Sequence, residues 1–306
     1  MKLGLQISSF TWDGGDVGLA QHLAEVVRTA DDAGFDSIWV MDHFLQIGSV
    51  GAPEEPMLEG MTALGYMAAH SKRARLGLMV GGIHYRQAGL WVKATTTLDV
   101  LSGGRAYFGI GAAWNEQESR AWGFPMPPLG QRFEMLEETL QLAHAAWTGE
   151  RGTREGFEGQ HYVATDPLNS PQALSRPHPP ILIGGGGERR TLKLVAQYAD
   201  ACNIFGTDPS QLKHKYDILR GHCETVGRDY ADIEKTLLTA VSITPDGARG
   251  SLTPDAMVER LGRTTEVGAQ HAIFSLKGVT DLSKIELIGR DVIPQLRDLG
   301  TPSPVR

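Results

Sequence analysis

Short runs rich in apolar and β-branched residues alternate along the chain with longer stretches whose apolar residues recur every three or four positions. The runs predict strands at residues 2–7, 37–41, 75–80, 106–110, 181–184, 201–205, 237–242 and 272–276. Between the first two, residues 16–33 set Leu19, Leu23, Val26, Val27 and Ala30 on one face, with Asp16 placed to cap the first turn and Gly34 to end it. Residues 61–70 carry Leu64, Met67 and Ala68, a weaker pattern. The segment after Gln87 aligns Leu90, Ala94, Leu98 and Leu101 ahead of Gly103 and Gly104, a glycine signal expected just past a helix end. Residues 132–147 are the clearest, spacing Phe133, Leu136, Leu140, Ala143 and Trp147 by threes and fours. Further helices are expected at residues 192–198, 212–223, 256–267 and 285–296. Parallel strands joined by helical crossovers are covered on both faces, and eight such units close on themselves. The predicted architecture is α/β, a (β/α)8 TIM barrel in one domain over residues 1–306; an open doubly wound sheet is the alternative.

Two stretches break the rhythm, residues 112–130 after the fourth strand and 148–180 before the fifth. The second contains Pro167, Pro171, Pro177, Pro179 and Pro180, so it cannot be one helix. Such insertions serve as lids, as site walls or as solvent-side excursions. Residues 46–59, 122–130 and 148–180 are the loops expected to choose a substrate. The tail, residues 301–306, is expected to fray.

Composition narrows the partners. With 36 acidic and 29 basic residues the formal charge is −7, a surface that attracts neither a phosphate backbone nor an anionic bilayer. A hydrophobic content of 41% against 21% charged residues supports a buried core. Cys202 and Cys223 are too few for a disulfide framework or a cysteine metal site, and no HExxH or GxSxG is present, so no metal is expected. The first residues have neither the basic nor the apolar segment of a signal peptide, and no run approaches the ~20 apolar residues of a membrane span. A soluble, cytoplasmic protein is expected.

In a TIM barrel the reactive residues stand at the C-terminal ends of the strands. Four places qualify. Asp42 and His43 follow the second strand: the histidine can exchange a proton near neutral pH, or it packs or caps. Gly184, Gly185, Gly186 and Gly187 with Arg189 follow the fifth strand and open a helix, where bare amides, the helix N-terminus and a guanidinium suit an anionic phosphate. Gly109 to Glu118, at the tip of the fourth strand, offer small residues beside a flat ring, with Asn115 or Glu116 to hydrogen-bond or to cap the next helix. Met79 to Arg86 hold Gly81 and Gly82, suggesting a bulge, with His84 and Arg86 read first as a loop contact and a structural ion pair.

Taken in order, KLGLQI, DAGFDSIWVMDHF, RLGLMVGGIHYR, TTTLDVLSGGRAYFGIGAAWNEQE and PPILIGGGGERRTLKLVAQYAD resemble the bacterial luciferase-like superfamily, in its branch of flavin- or coenzyme F420-dependent oxidoreductases. The resemblance spans nearly the whole chain. It implies that Asp42 contacts a deazaflavin, that His43 is the catalytic proton donor, and that a non-prolyl cis peptide lies near Met79 and Val80 with Gly81 close to the ring. It further implies that Ala112, Ala113 and Asn115 line the cofactor and that Gly184 to Gly187 with Arg189 hold its phosphate. Trp114 stands where sugar-phosphate dehydrogenases of this branch carry a catalytic glutamate, or Glu116 if the register shifts, which argues against a glucose-phosphate substrate. The implied activity is hydride transfer between F420 and a small organic molecule. An FMN-dependent monooxygenase using dioxygen is the alternative, and a cofactor-binding protein without turnover is a third reading. A homodimer is implied as well.

Overall fold

The computed structural model of the chain describes residues 1–148 and 156–299. Its strands are β1 (Lys2–Ile7), β2 (Ser37–Val40), β3 (Arg75–Leu78), β4 (Gly81–Gly82), β5 (Phe108–Gly111), the short antiparallel pair β6 (Phe157–Glu158) and β7 (Val163–Ala164), then β8 (Ile181–Gly184), β9 (Ala201–Phe205), β10 (Glu234–Val241) and β11 (His271–Leu276). Except for that pair they form one parallel sheet in the order β3-β2-β1-β11-β10-β9-β8-β5-β4. The ends of this order meet. Leu76 of β3 bridges Ala106 ahead of β5, its amide donating to Arg105 at 2.8 Å and its carbonyl accepting from Tyr107 at 2.7 Å. With β3 and β4 forming one interrupted barrel strand, the expected eight-stranded barrel is realised.

Helices α1 (Gly15–Ala33), α2 (Gly60–His70), α3 (Ala88–Ser102), α4 (Glu116–Trp122), α5 (Leu129–Thr148), α6 (Thr191–Tyr198), α7 (Pro209–Val226), α8 (Pro254–Thr265), α9 (Leu282–Asp291) and α10 (Ile293–Asp298) accompany the sheet. Strand residues alternate between two cores. Ile38 and Val40 of β2 join the large layer shared with the helices, whereas Trp39 packs inside the barrel with Met79, Tyr107, Leu182 and Ile273.

Several boundaries differ from the expectations, each for a local reason. The N-cap of α1 is Gly14, without a side-chain cap, and Asp16 sits inside the first turn; Gly34 does end the helix, at φ 94°. The third strand breaks after Leu78, where the Met79–Val80 peptide is cis. Strand β10 begins three residues early because its first residues, Glu234, Lys235 and Thr236, are polar yet buried. The last helix is two, since Pro294 has no amide with which to continue α9.

The second insertion is not a wall of the mouth over its described part, residues 156–180. Glu138 of α5 accepts the amides of Gln160, His161 and Tyr162 at 2.7, 2.8 and 3.0 Å. Buried Asp99, near the end of α3, accepts the amides of Leu174 and Ser175 at 2.7 and 2.8 Å. Two carboxylates therefore strap this segment along the outside of the barrel, away from the strand tips where a substrate would lie. Residues 149–155 of that insertion lie outside the described residues. No helix among the described residues is long and apolar enough to cross a membrane.

Candidate active site

The C-terminal ends of β2, β4, β5 and β8 form one rim. Val80 stands within it. A Cβ on Gly184 would stand 2.8 Å from both Val80 methyls, and one on Gly111 2.9 Å from the nearer methyl, so only glycine lets these strand ends close around Val80. Behind the cis peptide, Gln6 donates to the Met79 carbonyl at 3.2 Å and is itself fixed by Ser275 at 2.6 Å.

His43 leaves this rim with its side chain 15% exposed. Its Nδ1 lies 2.7 Å from Oε1 of Glu118, which is fully buried. The same oxygen accepts the Tyr85 hydroxyl, and Oε2 accepts the Phe44 amide at 2.8 Å and, more weakly, the Leu45 amide at 3.4 Å. Burial alone would raise the Glu118 carboxyl; the bonds from His43 and Tyr85 outweigh it and hold the group below the usual carboxylate range. Tyr85 moves the other way, raised by burial and by Glu118, and stays a donor. An ionised carboxylate only accepts, so His43 carries its proton on Nδ1 and presents Nε2. Nε2 has no hydrogen-bond partner among the described residues. Glu118 escaped the sequence reading, which weighed its neighbour Glu116. The signal was present: Asn115 accepts the amides of Gln117 and Glu118 as the N-cap of α4, and Glu118 sits three residues into that helix, facing back toward the rim.

Asp42 is buried, and Arg86 grips it through two bonds of 2.6 and 2.7 Å while the Gly82 amide adds a third at 3.1 Å. Arg86 also donates to Glu59 and lies 5.6 Å from the centre of the Trp91 ring. The ion pair expected of Arg86 is thus real and its partner is Asp42, whose carboxylate oxygens are both engaged within the chain. His84 bonds Ser119 at 2.7 Å, and burial together with Arg132 pushes its pKa down to about 4, so it is a neutral loop contact.

Ala112 and Ala113 continue from β5, and Arg132 of α5 binds both carbonyls, at 3.0 and 2.6 Å. Ala113 adopts φ 59°, which turns the chain at the rim. Asn115 is taken up as the cap of α4. Trp114 is 64% exposed and meets His43 edge-on with ring centres 5.5 Å apart. Further out, Phe44 packs on Tyr85, Trp122 and Phe124 at 5.0, 5.8 and 4.8 Å, an aromatic wall contributed partly by the 122–130 loop.

At the tip of β8, Gly185 has φ 118° and donates to Asn203, while a Cβ on Gly187 would come within 2.8 Å of the Thr191 hydroxyl. The amides of Gly186 and Gly187 donate to no other backbone group among the described residues. They precede the N-terminus of α6, so they remain available to an anion. Lys215 of α7, also absent from the sequence reading, passes within 3.7 Å of where a Gly186 Cβ would be and pairs with Glu188 at 2.6 Å. Arg189 is exposed and lines a cavity of about 780 Å³ between α5 and α6. Free amides, a helix N-terminus and a nearby ammonium fit the phosphate of a flavin-like cofactor.

Curated relatives and solved structures match nearly end to end. The F420-dependent glucose-6-phosphate dehydrogenase of Nakamurella multipartita is 26% identical over 91% of this chain and 93% of its own length. The coenzyme F420 dependent tetrahydromethanopterin reductase from Methanopyrus kandleri superposes with a TM-score of 0.78 at 17% identity, covering 96% of this chain and 99% of that one. Monooxygenase RslO1 from Streptomyces bottropensis gives 0.79 at 17% identity with the same coverage. At such identities the likeness speaks for the fold. Residues 1–263 match the model of the luciferase-like monooxygenase family, and the chain belongs to that family.

Proposed function

We propose that the chain is an F420-dependent oxidoreductase in which His43, held by Glu118, moves the proton that accompanies hydride transfer to or from an organic substrate. The observation that carries this reading is the His43–Glu118 pair at 2.7 Å on the rim that Val80, Gly111 and Gly184 build. Bound there, the deazaflavin supplies the carbon that gives or takes the hydride. The glycine-turn amides, with Lys215 and Arg189 near them, would hold its phosphate, and Val80 would back its ring. Ala112 and Ala113 would line its edge. Glu118 fixes the ring of His43 so that Nε2 faces the substrate space, where it can take or give the proton. The curated relatives named F420-dependent glucose-6-phosphate dehydrogenases support F420 over FMN. Their substrate is a poor match for the mouth, where Trp114 and the aromatic wall around Phe44 suit an apolar molecule better than a sugar phosphate.

The test is to titrate F420 and FMN separately by absorbance and fluorescence, then assay F420 turnover over a panel of alcohols, ketones and enones. Tight F420 binding with turnover is expected, and His43→Ala should lower turnover by roughly 10²–10⁴ without changing F420 affinity. Binding of FMN alone would reverse the cofactor assignment. Cofactor binding without any turnover would leave a binding protein.

A further inference from the structure

The opposite end of the barrel holds a second concentration of charge. A cavity of about 270 Å³ lies where β1, β2, β3 and β11 begin, lined by Lys2, Asp36, Arg73, Arg75, His271 and Arg297 over the Tyr107 ring. Four cations and one carboxylate line it, with the carboxylates of Glu234 and Asp31 behind Lys2 and Arg73. Three of the four already have partners. Lys2 pairs with Glu234 at 2.8 Å, Arg73 donates to the Asp31 carbonyl, and Arg297 donates to Gly34 at 2.8 Å and lies 3.5 Å from Asp36. Arg75 is different. Its guanidinium sits 5.6 Å from the centre of the Tyr107 ring, it has no carboxylate partner among the described residues, and its enclosed Nη1 makes no hydrogen bond.

An enclosed guanidinium N–H without an acceptor is costly, and a partner that enters from solvent would relieve it. The Tyr107 hydroxyl is not available for this, because it donates to Glu234 at 3.0 Å. A guanidinium fork accepts two oxygens of a tetrahedral or planar oxyanion, and several clustered cations favour a dianion over a single carboxylate. The exposed side chains of Arg73 and Arg297, 62% and 52% accessible, flank an entrance from solvent.

We propose that this cavity is a second ligand site, separate from the mouth, that binds a phosphate-class oxyanion, either inorganic phosphate or the end of a phosphomonoester. Arg75 holds it from within and Lys2, Arg73 and Arg297 close around it. The site lies at the N-terminal ends of the strands, so it does not depend on which cofactor the mouth takes. Its place in the fold also suggests what it touches. Lys2 and Tyr107 meet on Glu234, and Tyr107 packs on Trp39 with ring centres 5.0 Å apart, inside the barrel layer that includes Met79.

Calorimetric titration of the whole chain, with the mouth saturated by F420, tests the proposal using inorganic phosphate and methyl phosphate as probes. One phosphate per chain is expected, and Arg75→Gln should weaken it about tenfold or more while F420 affinity is unchanged. Arg189→Gln, at the mouth, should leave it untouched. Methyl phosphate competing at the same site identifies a pocket that admits esters; failure of methyl phosphate to compete identifies inorganic phosphate as the ligand. If Arg75→Gln does not fold, Arg75→Lys keeps the charge, loses the fork and should show the same weakening. Absence of saturable phosphate binding, binding indifferent to Arg75, or binding abolished by Arg189→Gln would each overturn the assignment.

Discussion

Replacing Glu118 by glutamine keeps the shape of the site and removes one charge, and the surrounding bonds dictate how the amide must sit. The amides of Phe44 and Leu45 can only donate, so the glutamine Oε1 must stay on their side, at the position Oε2 now holds 2.8 Å from Phe44. The glutamine NH2 then faces His43 Nδ1 and the Tyr85 oxygen, where Oε1 now accepts from both. A donor opposite Nδ1 forces that nitrogen to accept, and the ring proton moves to Nε2. His43 would thereby present an N–H where it now presents a lone pair. The consequence for proton transfer is a loss of roughly 10²–10⁴ in turnover, about 3–5 kcal/mol in the barrier, with F420 affinity unchanged. Stability should fall by about 1–3 kcal/mol, the difference between charge-assisted and neutral bonds to buried donors. Long-range proton–nitrogen correlation NMR on the histidine rings reads the tautomer directly and needs no substrate. A His43 that keeps its proton on Nδ1 in the variant, or a variant that turns over at the wild-type rate, would refute the chain of reasoning.

Other perturbations separate structural from functional roles on the same rim. Asp42→Ala leaves Arg86, 9% exposed, with only Glu59 as an ionic partner, and should cost about 3–5 kcal/mol in denaturant unfolding; a much smaller loss together with weakened F420 binding would show Asp42 acting on the cofactor instead. Gly184→Ala drives a methyl to within 2.8 Å of Val80 and should destabilise by about 1–3 kcal/mol while weakening F420 in fluorescence titration, an outcome that unchanged affinity would contradict. Acid should unfold the chain through its depressed carboxyls. Glu59 has a folded pKa of about 2, because the Thr62 amide and Arg86 outweigh the effect of burial, and Glu118 is also lowered. Groups depressed on folding contribute stability that is complete above their unfolded pKa of about 4.5 and is lost as pH falls toward 2. Melting temperatures should therefore drop between pH 5 and about 2, and Glu59→Gln should flatten that drop; an unchanged slope would remove Glu59 as a contributor.

The periodicities of the chain were enough to settle the barrel, because a strand covered on both faces and a helix with one apolar stripe leave local, repeating marks such as Ser37–Val40 and the Phe133 to Trp147 spacing. The glycines of the fifth barrel strand were legible for the same reason: a backbone requirement is written at the position that bears it. Buried polar residues hid the start of β10, since Glu234 looks like surface until Lys2, His271 and Tyr107 are brought against it, and Lys235 until its ammonium lies 4.2 Å from the centre of the Tyr230 ring. The outward course of residues 156–180 was equally invisible, because Asp99 and Glu138, which strap it down, are 75 and 22 residues away in sequence from the amides they hold. The same holds for the candidate site. His43 announced itself at a strand tip, but that Glu118 orients it and that Arg86 takes up Asp42 are facts of contacts made across 75 and 44 residues. Periodicity reports which face of an element is buried, whereas the partner of a buried charge is chosen only when the closed sheet brings distant strand ends to one rim.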